Sequence, residues 1–143
     1  MASRVSSKIQ RLLSERKLMK ADISSDMIQK EIRAANSDLT DSKDSLDQGK
    51  FKWATIQSYY SMFHAARAML YSKVYREKSH YALLIAIKEL FGNEIGPSLI
   101  TAFEEGMELR QEADYGLEFS EEGAKETVDG AKKFLAKVRQ LMK

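Results

Sequence analysis

Apolar residues recur three and four positions apart along most of the chain, the spacing of one face of a helix. From Val5, the series Ile9, Leu12, Leu13 and Met19 predicts a first amphipathic helix with a basic outer face. Asp22-Ile23-Ser24-Ser25 interrupts it, and Ser24 or Ser25 is placed to cap a second helix carrying Ile28, Ile32, Ala35, Leu39 and Leu46, ended by Gly49 near Lys50. The third helix carries two stripes: Trp53, Ile56, Tyr60, Phe63, Arg67, Leu70 and Val74, and beside them Tyr59, Met62, Ala66 and Met69. A helix apolar over so much of its circumference belongs at the centre of a bundle or in an interface.

Lys78-Ser79-His80 leads into a fourth, short helix with Leu83, Leu84, Ile87, Leu90 and Phe91, expected to stop at Gly92. Gly96-Pro97 predicts the next start, since proline in a first turn gives up an N–H that has no helical partner. This fifth helix passes Leu99, Phe103, Met107 and Arg110 to about Asp114, with Gly116 expected to close it. Ser120, followed by Glu121 and Glu122, opens a sixth whose buried side is Val128, Ala131, Leu135, Val138 and Met142.

Composition agrees with this all-α reading. One proline and seven glycines are spread over 143 residues, and Val and Thr occur four times each. No linker, repeat or low-complexity segment divides the chain, so residues 1–143 are expected to form one domain. Charged residues at 31% and hydrophobic ones at 43% are the mixture of a globular protein.

The absence of cysteine excludes disulfides, thiolate metal sites and cysteine nucleophiles. No apolar run approaches the roughly 20 residues that span a bilayer, and Arg4, Lys8, Arg11 and Arg16 break up the N-terminus. A cytoplasmic protein without membrane association is expected. The net charge of +2 favours no partner. Acids concentrate between Glu104 and Glu122 and bases in the last helix, a distribution usual for solvated faces. Templates with a glycine-rich phosphate loop, HExxH or G-x-S-x-G are missing, and neither a metal nor a cofactor is expected.

Asp38, Asp41, Asp44 and Asp47, three apart on the second helix, read as a solvated acidic face. His64 and Arg67 lie one turn apart, and Arg67 interrupts an apolar stripe, so its guanidinium requires a carboxylate, a phosphate or a partner chain. His80 is placed to donate to a carbonyl and lock the entry to the fourth helix. Arg110 and Asp114, four apart, share a helical face and can pair. Tyr115 stands five positions on, about 140° around the helix from Arg110; the two meet on one ligand if the helix unwinds before Gly116.

Tyr59-Tyr60-Ser61-Met62-Phe63-His64-Ala65-Ala66-Arg67-Ala68-Met69-Leu70, then Lys78-Ser79-His80, then Leu109-Arg110-Gln111-Glu112-Ala113-Asp114-Tyr115 together resemble the HEPN family, from about Ile28 to Met142. The likeness is greatest to the small prokaryotic group that accompanies minimal nucleotidyltransferases. The resemblance implies an up-and-down bundle of five to six helices that homodimerises, with a cleft between protomers near the fifth helix. It further implies nucleotide, RNA or a nucleotidyltransferase protein as partner.

Many members are metal-independent ribonuclease toxins of toxin–antitoxin pairs. Their arginine is followed, after four to six residues, by a histidine that assists attack of the RNA 2′-hydroxyl. Here no histidine follows Arg110, and Tyr115 occupies the place after four residues. A phenol with a pKa of about 10 is a poor proton acceptor at neutral pH. The expected function is therefore a noncatalytic binding module using Arg110, Asp114 and Tyr115, with Arg67, His64 and His80 as further candidates. The alternatives are a ribonuclease that recruits His64 or His80, and a structural oligomerisation module built on the third helix.

Overall fold

The computed structural model describes residues 6–143. Among the described residues, six helices and one short ribbon follow in the order α1 (Ser7–Ser14), β1 (Leu18–Lys20), α2 (Ser25–Asp47), α3 (Phe51–Ser72), β2 (Tyr75–Glu77), α4 (His80–Ile95), α5 (Pro97–Asp114) and α6 (Glu121–Leu141). The expected start of the first helix at Val5 lies outside the described residues.

Side-chain hydroxyls set four of the starts. Ser6, Ser24, Ser79 and Ser120 accept hydrogen bonds from the N–H groups of Ile9, Met27, Ala82 and Gly123, respectively. Each satisfies one of the donors that a helix start leaves open. Gly96, at φ 95°, turns the chain so that Pro97 begins α5.

The doubly apolar third helix is the axis of the fold. α2, α5 and α6 pack along α3, and α4 crosses nearby to close the far side. Tyr59, Met62, Leu70, Leu83, Ile87, Phe103, Phe134 and Val138 are fully enclosed there. α6 buries one face along its length, with Ala131, Phe134, Leu135 and Val138 inward, as its amphipathic spacing requires.

Two expectations fail at the same place. The first helix was expected to reach Met19 and the third Val74, but the chain leaves the helix before each. Arg16 (φ 57°) and Val74 (φ 60°) both adopt the left-handed conformation, and the residues after them pair antiparallel, Leu18 with Glu77, Met19 with Arg76 and Lys20 with Tyr75. Ala21 N–H to the Val74 carbonyl (2.8 Å) and Lys78 N–H to the Lys17 carbonyl (2.9 Å) extend the ribbon. A β-branched residue at positive φ is uncommon and costs energy; the ribbon's hydrogen bonds and the burial of Leu18 offset it.

Two helix ends also differ. α4 continues past Gly92 to Ile95, whose side chain is buried. The left-handed residue after α5 is Leu117 rather than Gly116, and the turn is held by the Gly116 and Glu118 N–H groups on the Glu112 carbonyl.

Candidate functional site

α5 carries Arg110 into the bundle rather than out from it; the residue is only 9% exposed. Its guanidinium Nη2 donates to the Tyr60 hydroxyl at 2.7 Å and lies 3.3 Å from Asp114 Oδ2. Two aromatic rings flank it, Tyr60 with its centroid at 5.2 Å and Tyr115 at 5.3 Å. Tyr115 is the C-cap of α5, with a right-handed backbone and its N–H still on the Gln111 carbonyl at 2.9 Å, so the two side chains meet over the roughly 140° of an ideal helix without the helix unwinding before them. Tyr115 is 75% exposed while it covers the guanidinium. Arg110 Nε is enclosed and has no hydrogen-bond partner among the described residues.

Behind Tyr60 lies an aromatic cluster in which His80 is the centre. Its ring stacks on Phe63 at 4.5 Å and on Tyr59 at 5.7 Å, and meets Tyr60 edge-on at 6.0 Å. The Tyr59 hydroxyl is 2.7 Å from His80 Nδ1. His80 was expected to donate to a backbone carbonyl; its partner is this side chain instead, because the first turn of α4 is packed against α3.

Burial pushes the Tyr59 phenol well up, against the pull of Arg110, so it stays protonated and donates. Burial, together with the positive charges of Arg110 and Arg67, holds the His80 imidazole below its usual range. A neutral imidazole that accepts at Nδ1 carries its proton on Nε2. The nitrogen of His80 left for a ligand is thus a donor.

At the other end of the cluster, Glu31 of α2 receives both His64 and Arg67. His64 Nδ1 is 2.6 Å from Glu31 Oε2, and its Nε2 is 3.6 Å from Asp38. Arg67 Nη1 donates to Glu31 Oε1 at 3.4 Å, and its Nε approaches Glu77 Oε2 at 3.0 Å without hydrogen-bond alignment. The guanidinium also lies over Phe63 and Tyr71. Burial opposes its charge, and Glu77, Tyr71 and Glu31 more than compensate, so Arg67 stays cationic.

All six residues singled out from the sequence therefore border one cluster: Arg110, Asp114 and Tyr115 at one end, His80 in the middle, His64 and Arg67 at the other. Sequence reasoning missed Tyr59, Tyr60, Glu31, Glu77 and Asp38 as their partners. Asp38 was placed on a solvated acidic face, but it is half-buried beside His64, and burial raises its carboxyl above the usual range. Its spacing is the same as that of the exposed Asp41, Asp44 and Asp47; only the partner opposite distinguishes it. Tyr59 and Tyr60 had a signal, since two adjacent phenols inside an apolar helix require hydrogen-bond partners.

The fold is shared. The crystal structure of TT1696 from Thermus thermophilus superposes with a TM-score of 0.68, covering 79% of this chain and 96% of that one at 17% identity. A UPF0332 protein of Archaeoglobus fulgidus is 30% identical over 118 residues, which span 80% of this chain and 94% of that protein. The HEPN domain model matches residues 28–141, the stretch from within the first turn of α2 to the end of α6, which includes every residue of the cluster. The chain belongs to the HEPN family.

Proposed function

We propose that the chain is a noncatalytic HEPN module of a toxin–antitoxin-like pair, a homodimer that binds a nucleotide, free or within an RNA strand, at a cleft around Arg110. The observation that carries this reading is the Tyr60–Arg110–Tyr115 stack with its unpartnered Nε. An exposed phenol ring offers a stacking face to a base, and the guanidinium beneath it offers donors to a phosphate.

The histidines support the noncatalytic part. A ribonuclease base needs an open lone pair, but His80 spends its lone pair on the Tyr59 hydroxyl, and both nitrogens of His64 face carboxylates. The partner protein is then a separate minimal nucleotidyltransferase, as the family resemblance suggests.

Calorimetric titration with ATP and short single-stranded RNAs tests the site. Arg110→Ala and Tyr115→Ala are expected to weaken binding about tenfold or more, the loss of one charge-assisted contact or one stacked base. Equal affinity of wild type and both variants overturns the assignment. Metal-independent cleavage of RNA in EDTA, lost in His80→Ala, favours the ribonuclease reading instead. A monomeric mass by light scattering removes the dimer cleft. Failure to bind a minimal nucleotidyltransferase encoded beside the gene removes the paired role.

A further inference from the structure

A second concave site lies on the opposite side of α4 from the aromatic cluster's interior. It is a cavity of about 540 Å³ between α1, the turn after it, and the first turns of α4, within the roughly 300–1,000 Å³ of small-molecule pockets. Much of its wall comes from Lys8, Arg11, Leu12, Glu15 and Lys17, all of which precede the residues matched by the HEPN model. α1 docks through Ile9 and Leu12, which are buried.

The lining has a consistent chemistry. Lys8, Arg11 and Lys17 supply three cations against Glu15 and Glu89, and Lys88, also in the lining, is paired at 3.1 Å with Glu104 outside it, so the cavity carries a small positive excess. Arg11 and Lys17 both rest on the same carboxylate, Glu15, at 3.2 and 3.3 Å. Such exposed pairs are weak, so either cation can turn to a ligand with little loss. The helix start at Ser79 borders the cavity, and the positive end of the α4 dipole adds to the same sign. Leu12, Ala82 and Ile85 form an apolar floor, and Tyr81, 65% exposed, stands at the edge.

We propose that this cavity binds a small aromatic organophosphate, of which a nucleoside monophosphate is the simplest case: phosphate toward Lys8, Arg11 and Lys17, ring on Ile85 and Tyr81. A phosphate is drawn by the positive excess and by the cations that can leave Glu15, and the apolar floor with an exposed phenol matches a planar ring. The site is independent of the one around Arg110.

The experiment is calorimetric titration of AMP, adenosine and inorganic phosphate into Arg110→Ala protein that also carries Tyr115→Ala, in which the other site has lost both its guanidinium and its stacking ring. AMP is expected to bind, with adenosine and phosphate each at least about tenfold weaker, since each lacks one of the two recognised groups. Adding Lys8→Glu and Arg11→Glu together, or Tyr81→Ala, is expected to lower AMP affinity about tenfold or more. These side chains are on the surface, and a circular dichroism melt verifies the fold. Absence of AMP binding to the Arg110→Ala/Tyr115→Ala protein, equal binding of adenosine and AMP, or affinity unchanged by the Lys8/Arg11 and Tyr81 substitutions overturns the proposal.

Discussion

The Tyr59 hydroxyl and His80 Nδ1 form a 2.7 Å hydrogen bond within an aromatic stack, joining the middle of α3 to the first residue of α4. Tyr59 is fully buried, so its proton has no water to fall back on. With Tyr59 donating, the bond fixes the imidazole tautomer and leaves the ring proton on Nε2.

This bond makes a pH-dependent contribution to stability. The folded-state pKa of His80 lies below the ordinary 6.5. Above about pH 6.5, folded and unfolded His80 are both neutral and the contribution is complete. As pH falls, the unfolded chain takes up the proton first, so the contribution is lost as pH drops through the folded pKa. Urea melts at pH 7.5, 6.5 and 5.5 of wild type and His80→Phe should show the wild-type advantage shrinking on acidification. At neutral pH, His80→Phe leaves the Tyr59 hydroxyl without an acceptor and is expected to cost about 1–3 kcal/mol.

Tyr60→Phe isolates what holds Arg110. The ring remains, but the 2.7 Å bond to Nη2 is gone. A stability loss of about 1 kcal/mol is expected from thermal melts, with weaker nucleotide affinity because the guanidinium is no longer positioned. Arg110→Lys should restore little of that affinity, since an ammonium cannot reach Tyr60 and a phosphate with the fork of a guanidinium.

Glu31 joins α2 to α3 through both His64 and Arg67. Glu31→Gln and His64→Ala should therefore be non-additive. A double-mutant cycle at neutral pH is expected to show coupling of about 1 kcal/mol. Additive losses would mean that the 2.6 Å contact contributes no pairwise energy.

Gly106 of α5 faces Met62 and Tyr59 of α3. A Cβ there would lie 2.6 Å from the Met62 terminal methyl, with Thr127 and Tyr59 behind it at 3.6 and 3.8 Å. Gly106→Ala gains about 0.5–1 kcal/mol of helix propensity against overpacking of typically 1–3 kcal/mol, so a small net loss is expected because Met62 can partly turn away. Gly106→Val has no such escape and should lose roughly 2–4 kcal/mol in chemical denaturation.

How much of this was legible beforehand depends on the range of the interaction. The caps at Ser24 and Ser120 and the start at Gly96-Pro97 were readable because each is decided within a few residues. Met19 and Val74 were misread because their spacing continues the helical pattern. What removes them from helices is the pairing of Leu18–Lys20 with Tyr75–Glu77, strands more than fifty residues apart in the chain. The candidate site shows the same division: Arg110 with Asp114 followed from spacing alone, whereas Arg110 with Tyr60 joins residues 50 apart.

The order of side chains along the chain by itself determined the helical class, the order of the helices and the family signature, because helix periodicity and capping are local properties. Only the tertiary structure decided which polar side chains meet. The aspartates of α2 share one spacing, and the packing of α2 on α3 alone sets Asp38 beside His64. Likewise, the docking of α4 and α5 against α3 alone commits His80 to Tyr59 and Arg110 to Tyr60. Burial obliges each of these groups to find a partner, and the partner within reach is a property of the packed helices, not of the pattern along any one of them.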